Sequence, residues 1–318
     1  MKSCGLREIP NWISTQKTLF HLDLSENQLE GMFPLWLAEM EVTALILSDN
    51  NLIGSLLSSL FNFRNLTILS LARNNFSGEL PNNMGNAIGL QILMLARNNF
   101  SGKVPESISN MFSLRLLDLS ANKFSGNTLP DLSSLLLNVI IDISSNEFSS
   151  ELPTNFPSFT KFLALGNLKV LKLLNISHNN LSGKAPISFG DLKSLESLDL
   201  SYNKISGLIP QSLANLQQLT LLDVSNNKLT GRIPVGRQMD TMNNPNYYAN
   251  NSGLCIMQIR VPCLEDLSPV EPTKIESKET WFSWEGVVIG YTVGFFVTVG
   301  SIYLIGYFIP ESPPNHRH

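Results

Sequence analysis

The sequence predicts an α/β-type repeat fold, a solenoid with one short parallel β-strand per repeat, followed by a single transmembrane α-helix. Three observations predict it. Asparagines recur at Asn27, Asn50, Asn74, Asn98, Asn122, Asn146, Asn179, Asn203 and Asn227, with spacings of 23, 24, 24, 24, 24, 33, 24 and 24 residues. Apolar residues hold fixed offsets around each of them. Towards the C-terminus, 24 residues run without a charge from Gly286 to Ile309.

Within each repeat the apolar positions read LxxLxLxxNxL, as in Leu19, Leu22, Leu24 and Leu29 around Asn27, or Leu195, Leu198, Leu200 and Ile205 around Asn203. The LxL alternation has the period of a strand, so its leucines point to the core and the residues between them face solvent. One 24-residue unit cannot bury such a face alone, but stacked units share a continuous core. The asparagine turns the chain out of the strand, and its side-chain amide can satisfy backbone groups that a buried bend would orphan. Four residues later stands glycine in every unit except that of Asn146, where Ser150 replaces it. Pro34, Pro81 and Pro234 stand seven residues after their asparagines and hold an extended back wall.

This LxxLxLxxNxLxGxxP unit, covering residues 19 to 263, resembles the plant-type leucine-rich repeats of receptor-like kinases, receptor-like proteins and polygalacturonase-inhibiting proteins. The resemblance divides the chain into a partial repeat (1–18), six leucine-rich repeats (19–153), an irregular interval (154–170), three further repeats (171–234), a C-terminal cap (235–263), an acidic juxtamembrane spacer (264–285), the transmembrane helix (286–309) and a short cytosolic tail (310–318). In the partial repeat SCGLREIP, Cys4 takes the asparagine position, which the repeat class permits, and is expected to be a reduced core thiol. The 33-residue spacing between Asn146 and Asn179 looks like the remnant of the non-repeat island of receptor-like proteins. With an N-terminus that lacks the apolar stretch of a secretory signal, it suggests a truncated gene product.

After the last repeat, tyrosines, asparagines and the pair Cys255 and Cys263 replace the leucine period, as an end cap requires. An extracellular location favours a disulfide between these two cysteines, the alternative being two free thiols. The segment looks like the end cap of plant receptor-like proteins, except that Ile256 stands where glycine usually follows the first cysteine. The acidic spacer leads to Trp281 and Trp284, residues typical of a membrane interface. The 24 residues after it, at about 1.5 Å each, suffice to cross a hydrocarbon core of about 30 Å. Gly286, Gly290 and Gly294 recur every fourth residue and offer one helical face for close approach by another helix. In the receptor-like proteins that the chain resembles, such a face couples to an adaptor receptor kinase. The nine residues from Pro310 to His318 are too short for a catalytic domain, so signalling would be supplied by a partner.

The chemistry expected is binding, not catalysis. His21, His178, His316 and His318 form no metal-binding spacing, there is no phosphate-cradling loop or nucleophile elbow, and no cofactor is implied. A formal net charge of -4 provides no basic field for nucleic acid. Function is expected on the exposed strand positions of the concave side. The column before each asparagine, taken as part of that face, reads Glu26, Asp49, Arg73, Arg97, Ala121, Ser145, His178, Tyr202 and Asn226. Arg73, Arg97, His178 and Tyr202 are its candidate ligand contacts, although Asp49 beside Arg73 also allows a simple pair. A second column carries Asp118, Asp142, Asn175, Asp199 and Asp223, where aspartate is more often structural. Six sequons, at Asn65, Asn75, Asn99, Asn175, Asn180 and Asn250, are glycosylation candidates for a secreted chain.

The resemblance implies a single-pass receptor-like protein of the plant plasma membrane, its N-terminal side extracellular. It would bind an extracellular peptide, protein or pathogen-derived ligand and signal through an adaptor receptor-like kinase and a co-receptor kinase, in defence or development. The alternatives are a decoy or inhibitor of a secreted hydrolase, and a truncated paralogue without function.

Overall fold

The computed structural model describes residues 1–127, 139–152, 171–236, 238–255 and 262–263, all within the unit Met1–Leu264. Each repeat forms one coil, named below by its asparagine. The LxL segments become strands of three to five residues: His21–Asp23, Ala44–Ile46, Ile68–Ser70, Ile92–Met94, Leu116–Asp118, Val139–Asp142, Leu171–Asn175, Ser197–Asp199 and Leu221–Asp223. These strands join in sequence order as a nine-stranded parallel sheet. The register is in phase, with Leu22 opposite Leu45, Leu69 opposite Leu93 and Leu198 opposite Leu222. The constant spacing between each strand and its asparagine brings like offsets into columns, with one register shift between Val139 and Ile140, and the inward leucines close a continuous core.

Beyond each strand the chain bends through a residue with φ between 51° and 60°, from Glu26 to Asn226, none of them glycine. Such a conformation costs about 1–2 kcal/mol for an L residue, so the surrounding structure must hold it. The asparagine that follows does so. Asn122 is buried; its Nδ2 reaches the carbonyl oxygens of Leu119 at 3.1 Å and Ser120 at 3.2 Å in its own coil, and of Leu95 at 3.0 Å in the coil before. Its Oδ1 accepts the Phe100 N–H of that preceding coil at 3.1 Å. The same set recurs at Asn50, Asn146, Asn179, Asn203 and Asn227. Each amide thus fixes its own bend and ties it to the previous coil.

The back wall is more ordered than one strand per repeat implies. Glu30–Met32, Asn51–Gly54, Asn75–Gly78, Asn99–Gly102, Lys123–Gly126 and Glu147–Phe148 form a second, six-stranded parallel sheet, and Ser206–Leu208, Lys228–Arg232 and Gly253–Cys255 a third of three strands. The apolar residue two places after the asparagine points inward there. Phe76, Phe100 and Phe124 stack with ring centroids 6.0 and 6.1 Å apart. The fixed φ of proline then leads into a short 3₁₀ turn on the convex side, as Pro105 into Glu106–Asn110 and Pro210 into Gln211–Asn215.

The two ends depart from the sequence reading. Cys4 does occupy a ladder position, its N–H donating to Asn27 Oδ1 at 2.9 Å, but the thiol is free and exposed and not in the core. Among the described residues no coil covers its other side. At the other end the ladder runs one step further than the leucine period. Asn251, 24 residues after Asn227, accepts the Leu229 N–H at 2.9 Å and donates to Val224 O at 2.9 Å. Tyr248 then covers the last coil, its hydroxyl on Met242 O at 2.9 Å, and burial pushes its phenol up to about 12. Cys255 and Cys263 are joined as a disulfide with Cα atoms 5.0 Å apart.

Removing one rung should show the ladder's weight. Asn122→Ala leaves four buried backbone groups without that partner, and a loss of about 3 kcal/mol of unfolding free energy is expected. Equilibrium urea denaturation of the purified chain checks it, with Asn27→Ala, at a half-exposed rung, costing less.

Candidate ligand-binding face

Inward leucines leave two columns of each strand facing out on the concave side. In the Asn50 to Asn146 coils they carry Ile46, Ile68, Ile92, Met94 and Leu116, half-buried against their neighbours, and Ile140, 39% exposed, beside the polar Ser70, Asp118 and Asp142. Towards the C-terminus the same columns become more polar, with Asn175, Ser197, Asp199 and Asp223 beside Leu173 and Leu221. Covering the aliphatic strip of the middle coils would remove apolar area from water, which makes it a candidate surface for binding.

The aspartate column first serves the fold. Asp118 Oδ1 accepts the Ser120 N–H at 3.1 Å and its hydroxyl at 2.6 Å, and Asp142, Asp199 and Asp223 each accept the N–H two residues on at 2.9 Å. Asn175 makes the same bond to Ser177 at 3.1 Å and donates its amide to Asp142 Oδ2 at 3.2 Å. Burial raises the Asp142 and Asp223 carboxyls, and the bonds from Ser144 and Ser225 only partly offset it.

The column from Glu26 to Asn226 does not lie on the strands, as the sequence reading had it. Its residues occupy the left-handed turn past the strand end, so they line one flank of the concave sheet. Much of it is paired along the stack. Glu26 meets Lys2 at 2.8 Å and the Ser3 hydroxyl at 2.7 Å. Arg73 forms a two-point bridge to Asp49, including Nη2 to Oδ2 at 2.6 Å, and that hydrogen bond holds Asp49 below the usual carboxylate range. His178 stacks on Tyr202 with ring centroids 4.1 Å apart, leaving Tyr202 half exposed. Asn250 donates to Asn226 at 2.7 Å. Arg97 is exposed, and its guanidinium has no partner among the described residues.

The four candidate contacts therefore share one flank but form two groups, Arg73 with Arg97 and His178 with Tyr202. Sequence reasoning missed the apolar strip and Arg115, an exposed cation without a partner among the described residues, on the opposite flank just before Leu116. The signal was present in the residues either side of the inward leucine, whose β-branched run in the middle coils breaks an otherwise polar pattern.

Of the sequons, Asn65, Asn75, Asn180 and Asn250 are exposed and Asn99 half-buried, off the concave sheet; Asn175 lies on it. The Gly286, Gly290 and Gly294 positions fall outside the described residues. Among the described residues no helix is long and apolar enough to cross a membrane, and no group of His, Cys, Asp or Glu could hold a metal ion.

Known proteins share these features. Residues 169–229 match the family described as Leucine rich repeat, and so do the single units 18–40, 65–87, 89–111 and 113–135. Receptor-like protein 46 of Arabidopsis thaliana is 46% identical over 67 residues, which is 20% of this chain and 8% of that protein. The Arabidopsis receptor kinase HAESA, solved in complex with the peptide hormone IDA and the co-receptor SERK1, superposes with a TM-score of 0.67 and 32% identity over 78% of this chain and 40% of that one. The plant peptide hormone receptor RGFR1, solved in complex with RGF2, gives 0.57 and 30% over 71% and 39%.

Because burial raises the Asp223 carboxyl in the folded protein, its ionised form costs stability above the folded pKa and costs nothing below the unfolded one. Asp223→Asn keeps an oxygen for the Ser225 N–H and removes the charge. Its melting temperature is expected to exceed that of the unmodified chain at about pH 7, with the gain vanishing towards about pH 3, as thermal melts across that range would show.

Proposed function

Proceeding from a leucine-rich-repeat protein homologous to the Arabidopsis receptor-like proteins, we propose that the chain is a single-pass receptor-like protein of the plant cell surface. It binds an extracellular peptide or pathogen-derived ligand on its concave face and acts through partner receptor kinases, in defence or development. The observation that carries this reading is the strip of aliphatic side chains on the middle coils, flanked by Arg97 and Arg115, which have no partner among the described residues. Such a surface binds and has no catalytic constellation among its described side chains. The structural neighbours HAESA and RGFR1 were solved in complex with IDA and RGF2, and HAESA also with a co-receptor.

The remaining parts of the proposal rest on sequence. The uncharged run from Gly286 to Ile309 has the length of a membrane span, and Gly286, Gly290 and Gly294 on one helical face suit contact with the helix of an adaptor kinase. The cap disulfide and exposed sequons fit an oxidising, extracellular setting for the repeats.

Co-immunoprecipitation of the tagged full chain from plant membranes tests this. A receptor kinase should be recovered with the unmodified chain and lost when Gly286, Gly290 and Gly294 are changed to leucine. Recovery that is equal for both, or absent for both, would contradict signalling through a helix partner and favour a ligand-sequestering role.

A further inference from the structure

The back wall carries an exposed apolar pair. Met32 is 71% exposed and Ile53 42%, and they stand directly opposite each other in neighbouring strands of the six-stranded sheet. Met32 leans towards the coil that follows, its Cε 3.5 Å from where a Cβ would sit on Gly54. The next residue along this line is Asn75, paired in register with Ile53. Asn75 begins the sequon Asn75-Phe76-Ser77. The ladder fixes where its side chain goes. Asn74 gives its amide to Leu47 O and Leu71 O, Phe76 is buried in the core, and Asn75 between them is exposed on the outer face. One coil later the run LARNNFSG recurs, and Asn99 heads the sequon there. Its line across the sheet is polar: Ser77 is its partner in register, and the coil before that carries Ser55. The two sequons therefore share local sequence and place in the fold, and differ in the surface beside them.

We infer that Asn75 carries an N-linked glycan whose first sugars lie on Ile53 and Met32, so that the chain's own glycan covers this apolar pair. In the modification the Asn75 amide nitrogen bonds the anomeric carbon of an oligosaccharide held on a polyprenyl diphosphate. The bond from that carbon to the phosphate oxygen breaks, the lipid diphosphate leaves, and one amide proton is released. N-acetylglucosamine, the linking sugar, has a face of C–H groups and an acetamido methyl, and both gain by leaving water against aliphatic side chains. Strands about 4.8 Å apart set Ile53 one step and Met32 two steps, about 10 Å, from Asn75, within reach of a two-sugar stem. The flexible thioether of Met32 adapts to such a contact. At Asn99 the same sugar meets serines, so lying flat there covers no apolar side chain. The inference rests on the extracellular placing of the repeats in the proposed function and adds a site and a role for one glycan.

The test uses the full chain, purified from plant cells into lipid nanodiscs, with glycopeptide mass spectrometry to read each sequon. Asn75 should be occupied. Hydrogen peroxide then reports on Met32, whose exposed thioether oxidises to the sulfoxide. Met32 should oxidise about threefold more slowly in the unmodified chain than in Asn75→Gln or Ser77→Ala, each of which removes the sequon. Ser77→Thr keeps the sequon and should keep the slow rate. Asn99→Gln should leave the rate unchanged, and Met94, half-buried on the concave face, should oxidise at one rate throughout. Asn75→Gln should also lower the melting temperature by about 2 °C, and Asn99→Gln should not. An unoccupied Asn75, a Met32 rate indifferent to the Asn75 glycan, or a slowing that depends equally on Asn99 would overturn the inference. Glycans at Asn65 or Asn180 with none at Asn75 would overturn it while leaving the cell-surface reading in place; a chain without glycan at any sequon would overturn both.

Discussion

Every feature of this solenoid depends on one asparagine per coil, buried or half-buried. The ladder asparagine combines two roles that a leucine or serine could not: a carbonyl that takes an N–H from the preceding coil, and an amide that reaches carbonyls in both coils. Without it the bend after each strand would bury unpaired backbone, at about 1–3 kcal/mol for each group. With it, a non-glycine residue is held in the left-handed region at the same point of each coil. The strain of that turn and the hydrogen bonds that hold it are inseparable.

A fixed bend has consequences for display. Because each coil repeats the same turn, side chains at one offset stack in a column, and the columns alternate between core, concave sheet and flank. Columns whose members pair along the stack, such as Asp49 with Arg73 and His178 with Tyr202, become part of the scaffold. Members without such a neighbour remain available to a ligand, as Arg97 does.

The solenoid, its concave strands and the leucine core were legible because they follow from local period and spacing, with Leu22, Leu24 and Leu29 repeating around each asparagine. The second sheet was not, since Asn75–Gly78 and Asn99–Gly102 become strands only by pairing across coils, and the local pattern there shows a glycine and a polar run. Cys4 was placed correctly along the ladder but wrongly in depth, because burial depends on whether a neighbouring coil covers it. The flank column was misassigned to the strands for a related reason: spacing locates Arg97 one residue before Asn98 but does not reveal the φ of 54° that turns it out of the sheet. Arg115 and the strip of Ile68, Ile92 and Ile140 were in the sequence, yet their standing as a site needed the knowledge of which neighbours lack partners.

The claim that the asparagine ladder holds the coils together is tested most directly by hydrogen–deuterium exchange of the intact chain, resolved to the amides that donate to ladder oxygens. The account predicts that Phe100, Phe124, Leu181 and Ile205, whose N–H groups meet Asn122, Asn146, Asn203 and Asn227, exchange as slowly as the strand amides and open together with them. Rapid exchange at these four positions while the concave strands stay protected would contradict it, and would leave leucine packing and the concave strand ladder as the forces that stack the coils.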